Sequence, residues 1–389
     1  MMKKTAIAVL VGCLMAGFGP EGWAAEFKVI PSLVLRGQYN DNIFFDAENE
    51  ESDYIGTVKP GLEIINRTER LDLSLAGHYR VIRYRDQGEL DAEDYDGRGR
   101  LKYNLTPVLR LNAGALYDKS TQPDRDVVET GLIQNQRTRR RQRYNGGLEY
   151  TINEKAATTF NYVYQDDDWS SNDPDDEDWT LNSADMLFTY DLSGTIESTV
   201  GRVNFGYANA DYETAEIDYY FATLGFLHQF SEIYSMQLDA GPRYTDSEFD
   251  DNQSDQKWGG RGYLALIYSG EFTRADLSAS YDVDAASGRR GAVERTRFVA
   301  DVRHRFLEKL WLGISGGYYL NKSSQDEFAQ DEIDERTVRV RPRFNWEIHR
   351  YVSLEGAYEY IYVDDNADDT DTDRHNVYLQ VTFAYPVIE

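Results

Sequence analysis

The chain has 389 residues, 13% of them aromatic, with 29 Tyr and a single Cys. A formal charge of −27, from 41 Lys and Arg against 68 Asp and Glu, leaves no basic surplus to neutralise phosphates and argues against nucleic acid as a partner. One Cys excludes a disulfide scaffold and a Cys-based zinc site, and past the N-terminus no run is long and apolar enough for a membrane helix.

The first element is an address. Lys3 and Lys4 precede an apolar run from Thr5 to Phe18, and Gly22-Trp23-Ala24 reads as a small-x-small cleavage site. Residues 1–24 are expected to be a secretory signal peptide, cut after Ala24 or Ala25. Leu10-Val11-Gly12-Cys13 resembles a lipobox, but the apolar run before Cys13 is very short for one. Residues 25–389 then form one domain, read as an outer-membrane β-barrel.

From there the sequence alternates. Leu71, Leu73, Leu75, Gly77, Tyr79 and Val81 oppose Asp72, Ser74, Ala76, His78 and Arg80. That two-residue period belongs to a strand with different surroundings on its two faces. Eighteen such segments follow in chain order: 27–39, 54–66, 70–84, 95–105, 109–119, 136–150, 156–165, 180–192, 197–208, 218–230, 234–245, 258–269, 274–283, 293–306, 310–320, 336–348, 352–362 and 374–385. Short connections such as 67–70, 106–108, 231–233, 307–309 and 349–351 alternate with long acidic ones at 40–53, 86–94, 166–178, 246–255, 323–335 and 364–373. Short turn, strand, long loop, strand is the pattern of a transmembrane antiparallel up-and-down β-barrel, all-β, of about 18 strands with 16 as the alternative. Tyr150, Tyr164, Tyr190, Trp258, Tyr268, Trp346, Tyr362 and Tyr385 near segment ends are what an aromatic girdle needs, and a soluble sandwich does not.

A bore of this strand number is too wide for side chains to fill, so a channel is expected. On the inward register lie Arg98, Arg100 and Lys102, then Arg110, then Arg139, Arg141 and Arg143. A second group holds Arg295, Arg297, Arg303, Arg305, Arg339, Arg341 and Arg343, about ten segments further on and so across the ring. The planar fork of Arg suits carboxylate, sulfate or phosphate. The same residues can instead brace the wall against inward Asp72, Asp96, Glu149, Asp239, Asp276, Asp301, Glu347, Glu355 and Glu359. Tyr219, Phe221, Tyr263, Trp311, Tyr319 and Tyr378 also fall inward, as stacking faces for sugar rings or as packing under an inward-folded loop.

Catalytic chemistry is not legible. His78, His228, His304, His349 and His375 have no metal-ligand spacing, and Gly313-Ile314-Ser315-Gly316-Gly317 fits the G-x-S-x-G pattern only in mid-strand. Asp364-Asp365-Asn366-Ala367-Asp368-Asp369 starts like a calcium loop but lacks the Gly and the distal Glu. No catalytic residue, metal ligand or cofactor is expected.

Gln38-Tyr39-Asn40-Asp41-Asn42-Ile43-Phe44, with Tyr54-Ile55-Gly56-Thr57-Val58-Lys59-Pro60-Gly61-Leu62 and Arg70-Leu71-Asp72-Leu73-Ser74-Leu75, resembles the opening of the putative β-barrel porin 2 family. These are outer-membrane proteins often tied to exopolysaccharide operons. The resemblance covers the first quarter of the chain, and the ending Pro386-Val387-Ile388-Glu389 departs from the terminal aromatic usual in such barrels. It implies an outer-membrane conduit for exopolysaccharide or capsular polysaccharide, with the polymer, periplasmic export and chain-length proteins, and outer-membrane lipid as partners. The alternative is a diffusion porin for small, possibly anionic, solutes.

Overall fold

The computed structural model describes residues 26–121, 138–170, 177–249, 254–285, 292–323, 333–367 and 369–388. The expected signal peptide and lipobox lie outside these residues, as do parts of the long acidic connections. In chain order the strands are β1 (Glu26–Asn40), β2 (Asp53–Arg67), β3 (Leu71–Tyr84), β4 (Ala92–Thr106), β5 (Leu109–Ser120), β6 (Thr138–Asn153), β7 (Ala156–Ser170), β8 (Trp179–Asp191), β9 (Thr199–Tyr212), β10 (Ala215–Gln229), β11 (Tyr234–Phe249), β12 (Ser254–Ser269), β13 (Thr273–Ala285), β14 (Ala292–Leu307), β15 (Leu310–Ser323), β16 (Ile333–His349), β17 (Val352–Asp365) and β18 (Thr370–Ala384). Each pairs antiparallel with its neighbours in sequence, and β18 returns to β1. The result is one closed 18-stranded barrel. Closure leaves no edge strand, which lipid requires, although at the loop end β12 runs on past its pairing with β13, which stops at Gly262 and Tyr281.

The seam has an unusual finish. β18 pairs with β1 from Ser32 to Asn40, and the tail continues the ladder below it. Tyr385 N–H donates to Pro31 O, Val387 N–H to Val29 O, and Val29 N–H to Ile388 O. Pro386, which has no N–H, falls between the two donating positions, so the ladder loses nothing by it. The tail that departs from the family ending is therefore part of the wall.

One end of the barrel carries the short turns, with register shifts at Asn104/Thr106, Thr151/Asn153, Arg305/Leu307 and Glu347/His349. Such single-residue bulges tighten a hairpin. At the other, loop end, the strands run further than the sequence suggests. β11 extends to Phe249 and β12 begins at Ser254, inside a stretch expected to be an acidic loop. Acidic residues there still alternate, so half of them point outward above the bilayer.

The outer face shows two aromatic belts. Tyr207, Tyr220, Tyr244 and Trp258 follow one another around the loop end, with ring centroids 4.9, 6.4 and 5.2 Å apart. Tyr234 and Tyr268 at 5.0 Å, and Tyr351 and Tyr385 at 4.7 Å, mark the turn end. On β11 the belts are ten residues apart, Tyr234 to Tyr244, with Met236, Leu238, Ala240 and Pro242 between. At roughly 3.3 Å per residue and a tilt of about 40°, that is about 25 Å, the height of an outer-membrane apolar band.

Candidate functional site in the bore

The register sends all the expected basic residues inward. β4 presents Asp94 and Asp96, both buried, and then Arg98, Arg100 and Lys102 on the same face. β5 adds Arg110, and β6 adds Arg139, Arg141 and Arg143, opposite Ser120, Asp118 and Leu116 of β5. β14 carries Arg295, Arg297, Arg303 and Arg305, and β16 carries Arg339, Arg341 and Arg343. The ring order places β4–β6 across the bore from β14–β16.

Most of these cations are braced. Arg141 grips Asp167 through Nε and Nη2, at 2.8 and 2.6 Å. Arg343 bonds Asp301 at 2.5 Å and donates to Ser315 Oγ at 3.0 Å. Arg303 also reaches Asp301, at 3.5 Å. Arg339 pairs with Glu359, and Arg341 with Glu355 at 3.3 Å and with the Tyr378 hydroxyl. Arg110 meets Glu149 at 3.3 Å, Arg98 meets Asp96 at 3.7 Å, and buried Arg139 lies 4.0 Å from Asp118. Arg295 is buried over the Tyr319 ring, Arg297 donates to Ser280 Oγ at 3.0 Å, and Arg305 lies over Phe272 and Trp311.

Arg100 and Lys102 differ. Both are exposed to the bore, and neither makes an ion pair or hydrogen bond among the described residues. Arg143, two strands away and exposed, touches Gln165 Oε1 at 3.4 Å. With Arg98 and Arg110 they form an exposed basic ladder on β4–β6 at the turn-end side. Successive inward positions are about 7 Å apart, so their mutual repulsion in water is only about 0.6 kcal/mol. The wall tolerates them unpaired, and an anion passing between them meets two cations at once. The inward carboxylates are mostly committed; Glu63 and Glu347 make no ion pair among the described residues.

The aromatic residues divide. Tyr219, Tyr319 and Tyr378 are buried, Tyr219 in an apolar cluster with Trp179, Ala210 and Ile217. Arg36 lies 3.6 Å above the Tyr378 ring, and Arg261 lies 3.9 Å above Phe221. Tyr263, 40% exposed, and Trp311, 36% exposed, present their rings to the bore.

The expectation of a uniformly water-filled bore needs correction. At the loop end, inward residues are buried around the whole ring: Asp53 and Ile55 on β2, Asp167 on β7, Ala210 on β9, Ile217 on β10, Thr245 on β11, Val293 on β14, Asn321 on β15, Glu335 on β16, Val363 on β17 and Arg374 on β18. A wall facing open water would be exposed, so the bore is narrowed at this end. Among the described residues, loop 41–52 contributes to it. Phe45, fully buried with φ 55°, packs on Ile361 and Val363 under Arg374 at 4.2 Å, while Ile43 packs with Ile55, Ile82, Leu90 and Ala92. Asn42 fastens the loop: its Nδ2 donates to Asp46 O at 2.9 Å and Asp373 O at 3.1 Å, and its Oδ1 accepts from Asp46 N–H at 3.0 Å. The N–H groups of Asn49 and Glu48 hold the Asp46 carboxyl below the usual aspartate range. The turn-end side of the bore, in contrast, is exposed wall.

Sequence reasoning missed several inward cations: Arg36, Lys59, Arg202, Arg243, Arg261 and Arg374. None lies in a run of alternating cations, so no cluster flagged them; only their place in the two-residue register could have done so. Among the described residues, no three His, Cys, Asp or Glu side chains gather as a metal would need. Ser315 of the G-x-S-x-G match sits mid-strand on β15, accepting from Arg343.

The fold is that of known outer-membrane porins. OccK2 (OpdF) of Pseudomonas aeruginosa, in complex with glucuronate, aligns with a TM-score of 0.51 at 9% identity, over 93% of this chain and 99% of that one. OpdK of the same organism aligns at 0.49 and 10% identity, over 92% and 99%. No curated protein matches the sequence. The family model described as putative beta-barrel porin 2 matches residues 16–197 and 269–385, most of the chain. The protein is an outer-membrane β-barrel and belongs to the putative β-barrel porin 2 family.

Proposed function

We propose that this protein is a non-enzymatic diffusion porin for small anionic solutes. The observation that carries the reading is the exposed, unpartnered pair Arg100 and Lys102, flanked by Arg98, Arg110 and Arg143, in a wall whose carboxylates are mostly tied up in ion pairs. Weak, repeated attraction at exposed sites speeds entry without trapping the solute. By the usual sidedness of such barrels the short turns face the periplasm, so the basic ladder lines the periplasmic part of the bore and the packed layer lies outward. The glucuronate held by OccK2, a barrel of the same architecture, is a solute of the size and charge the ladder suits.

Export of polysaccharide, with periplasmic partner proteins, is the less well supported reading. A sliding polymer needs a continuous wide passage, and the outward end is packed around the ring. The two readings part in one experiment. Deleting the gene should leave surface polysaccharide intact and slow uptake of small organic anions. Polysaccharide retained in the periplasm, with anion uptake unaltered, would reverse the choice.

A further inference from the structure

A second polar site lies in the wall formed by β9–β14, away from the basic ladder, and its two central Arg residues lie outside both Arg clusters. It is a recess of about 250 Å³ lined by Arg202, Asn204, Asp239, Arg261, Tyr263 and Asp282, with Thr223, Gln237, Ser280 and Arg297 around them. Its two central guanidiniums are held in the same way. Arg202 Nε donates to Asp239 Oδ1 at 2.9 Å, and Arg261 Nε lies 2.9 Å from Asp282 Oδ2. Gln237 Nε2 fixes the other oxygen of Asp239 at 2.6 Å, and the Phe221 ring lies under Arg261 at 3.9 Å. Each Arg thus spends its Nε on the wall and leaves its terminal nitrogens uncommitted. Such a fork accepts a carboxylate through two parallel hydrogen bonds.

A second observation is independent of these ion pairs. Asn204 Oδ1 is buried and accepts no hydrogen bond. A buried acceptor left unmade costs free energy, and a turn of the Asn204 amide toward the recess would let a ligand hydroxyl satisfy it. On the β12 side of the recess Tyr263, 40% exposed, offers a ring face suited to the C–H face of a sugar. The recess holds the volume of about eight waters, room for one sugar ring and not for a chain of them.

We propose that this recess is a binding site for a monosaccharide acid, its carboxylate on Arg202 and Arg261, a hydroxyl on Asn204 and its ring against Tyr263. The site rests on the porin reading and gives it a substrate class, since a carboxylate drawn in by the ladder meets here a partner that also recognises hydroxyls.

The test is calorimetric titration of the detergent-solubilised full chain with D-glucuronate, D-glucose and acetate. Glucuronate should bind at least tenfold more tightly than glucose or acetate. Arg261→Gln and Arg202→Gln should each weaken it about tenfold or more. Because those changes strand Asp282 and Asp239, Asn204→Leu, which touches no ion pair, serves as the second variant and should weaken glucuronate severalfold while leaving acetate as it was. Equal binding of glucose and glucuronate, no glucuronate binding, or full affinity in Asn204→Leu and Arg261→Gln would overturn the assignment. Ion selectivity across a bilayer is read separately: a cation-selective channel that still binds glucuronate here would sink the porin reading and leave the recess standing.

Discussion

Arg100 and Lys102 hold charge that no described residue of the wall neutralises, whereas Arg141 and Asp167, two strands on, hold theirs for each other. The difference sets what each substitution does. Replacing Arg100 and Lys102 together by Gln removes no contact, so the barrel should fold and melt as before, while the anion-to-cation permeability ratio from reversal potentials falls severalfold. Asp167→Ala leaves Arg141 without its bidentate partner in a buried place. Breaking such a pair by removing one member costs about 3–5 kcal/mol, and urea unfolding in lipid should show the loss. The two kinds of Arg could not be told apart in sequence, because both sit on the inward register beside acidic residues. The pairing depends on which strands neighbour each other and how deep the residue lies. Arg202 and Arg261 were invisible for the opposite reason, neither lying in a run of alternating cations.

At the scale of the element, the legible part was the strand. The two-residue period located all eighteen, with short turns placed almost to the residue, because lipid on one face and polar surroundings on the other impose it directly. What it misjudged was where strands end and what the bore contains. Asp246 and Glu248 of β11 read as loop, yet the ladder continues through them to Phe249. Ala208, Ala210, Ile217, Val293, Ile361 and Val363 were the available signal of a filled bore: apolar residues on the register that should be polar. The Asn-Asp-Asn-Ile-Phe motif behind the family resemblance is the fastening of loop 41–52, with Asn42 as its clasp and the next residue, Phe45, as its anchor. Phe45→Ala should remove about 3–5 kcal/mol of packing, enough to shift a closed loop by two orders of magnitude or more in population. Single-channel records of that variant should show a clear rise in open time; unaltered gating would mean the loop is fixed wall. Ending the chain at Tyr385 deletes the two bonds that the tail makes with Val29, worth about 0.5–1.5 kcal/mol each, so the heat needed to shift the folded band on a gel should fall.

For the whole molecule, the net negative charge and the basic ladder occupy different places. Alternation sends Asp211, Glu216, Asp218, Asp246, Asp364, Asp371 and Asp373 to the outer face above the aromatic belt, away from the bore, while inward Asp167, Glu335 and Glu359 are buried. At physiological salt the outer carboxylates are screened beyond about 8 Å and do not bar an anion that has entered. The barrel is therefore acidic outside above its loop-end aromatic belt, closely lined at its loop end and basic along the wall of its turn end. The direct measurement is the reversal potential of the purified full chain in a planar bilayer across a tenfold potassium chloride gradient. Discrete conductance steps with the sign of anion preference are expected. A bilayer that stays silent with Phe45→Ala as well as with the unaltered chain, or steps that favour potassium, would contradict an anion-conducting bore.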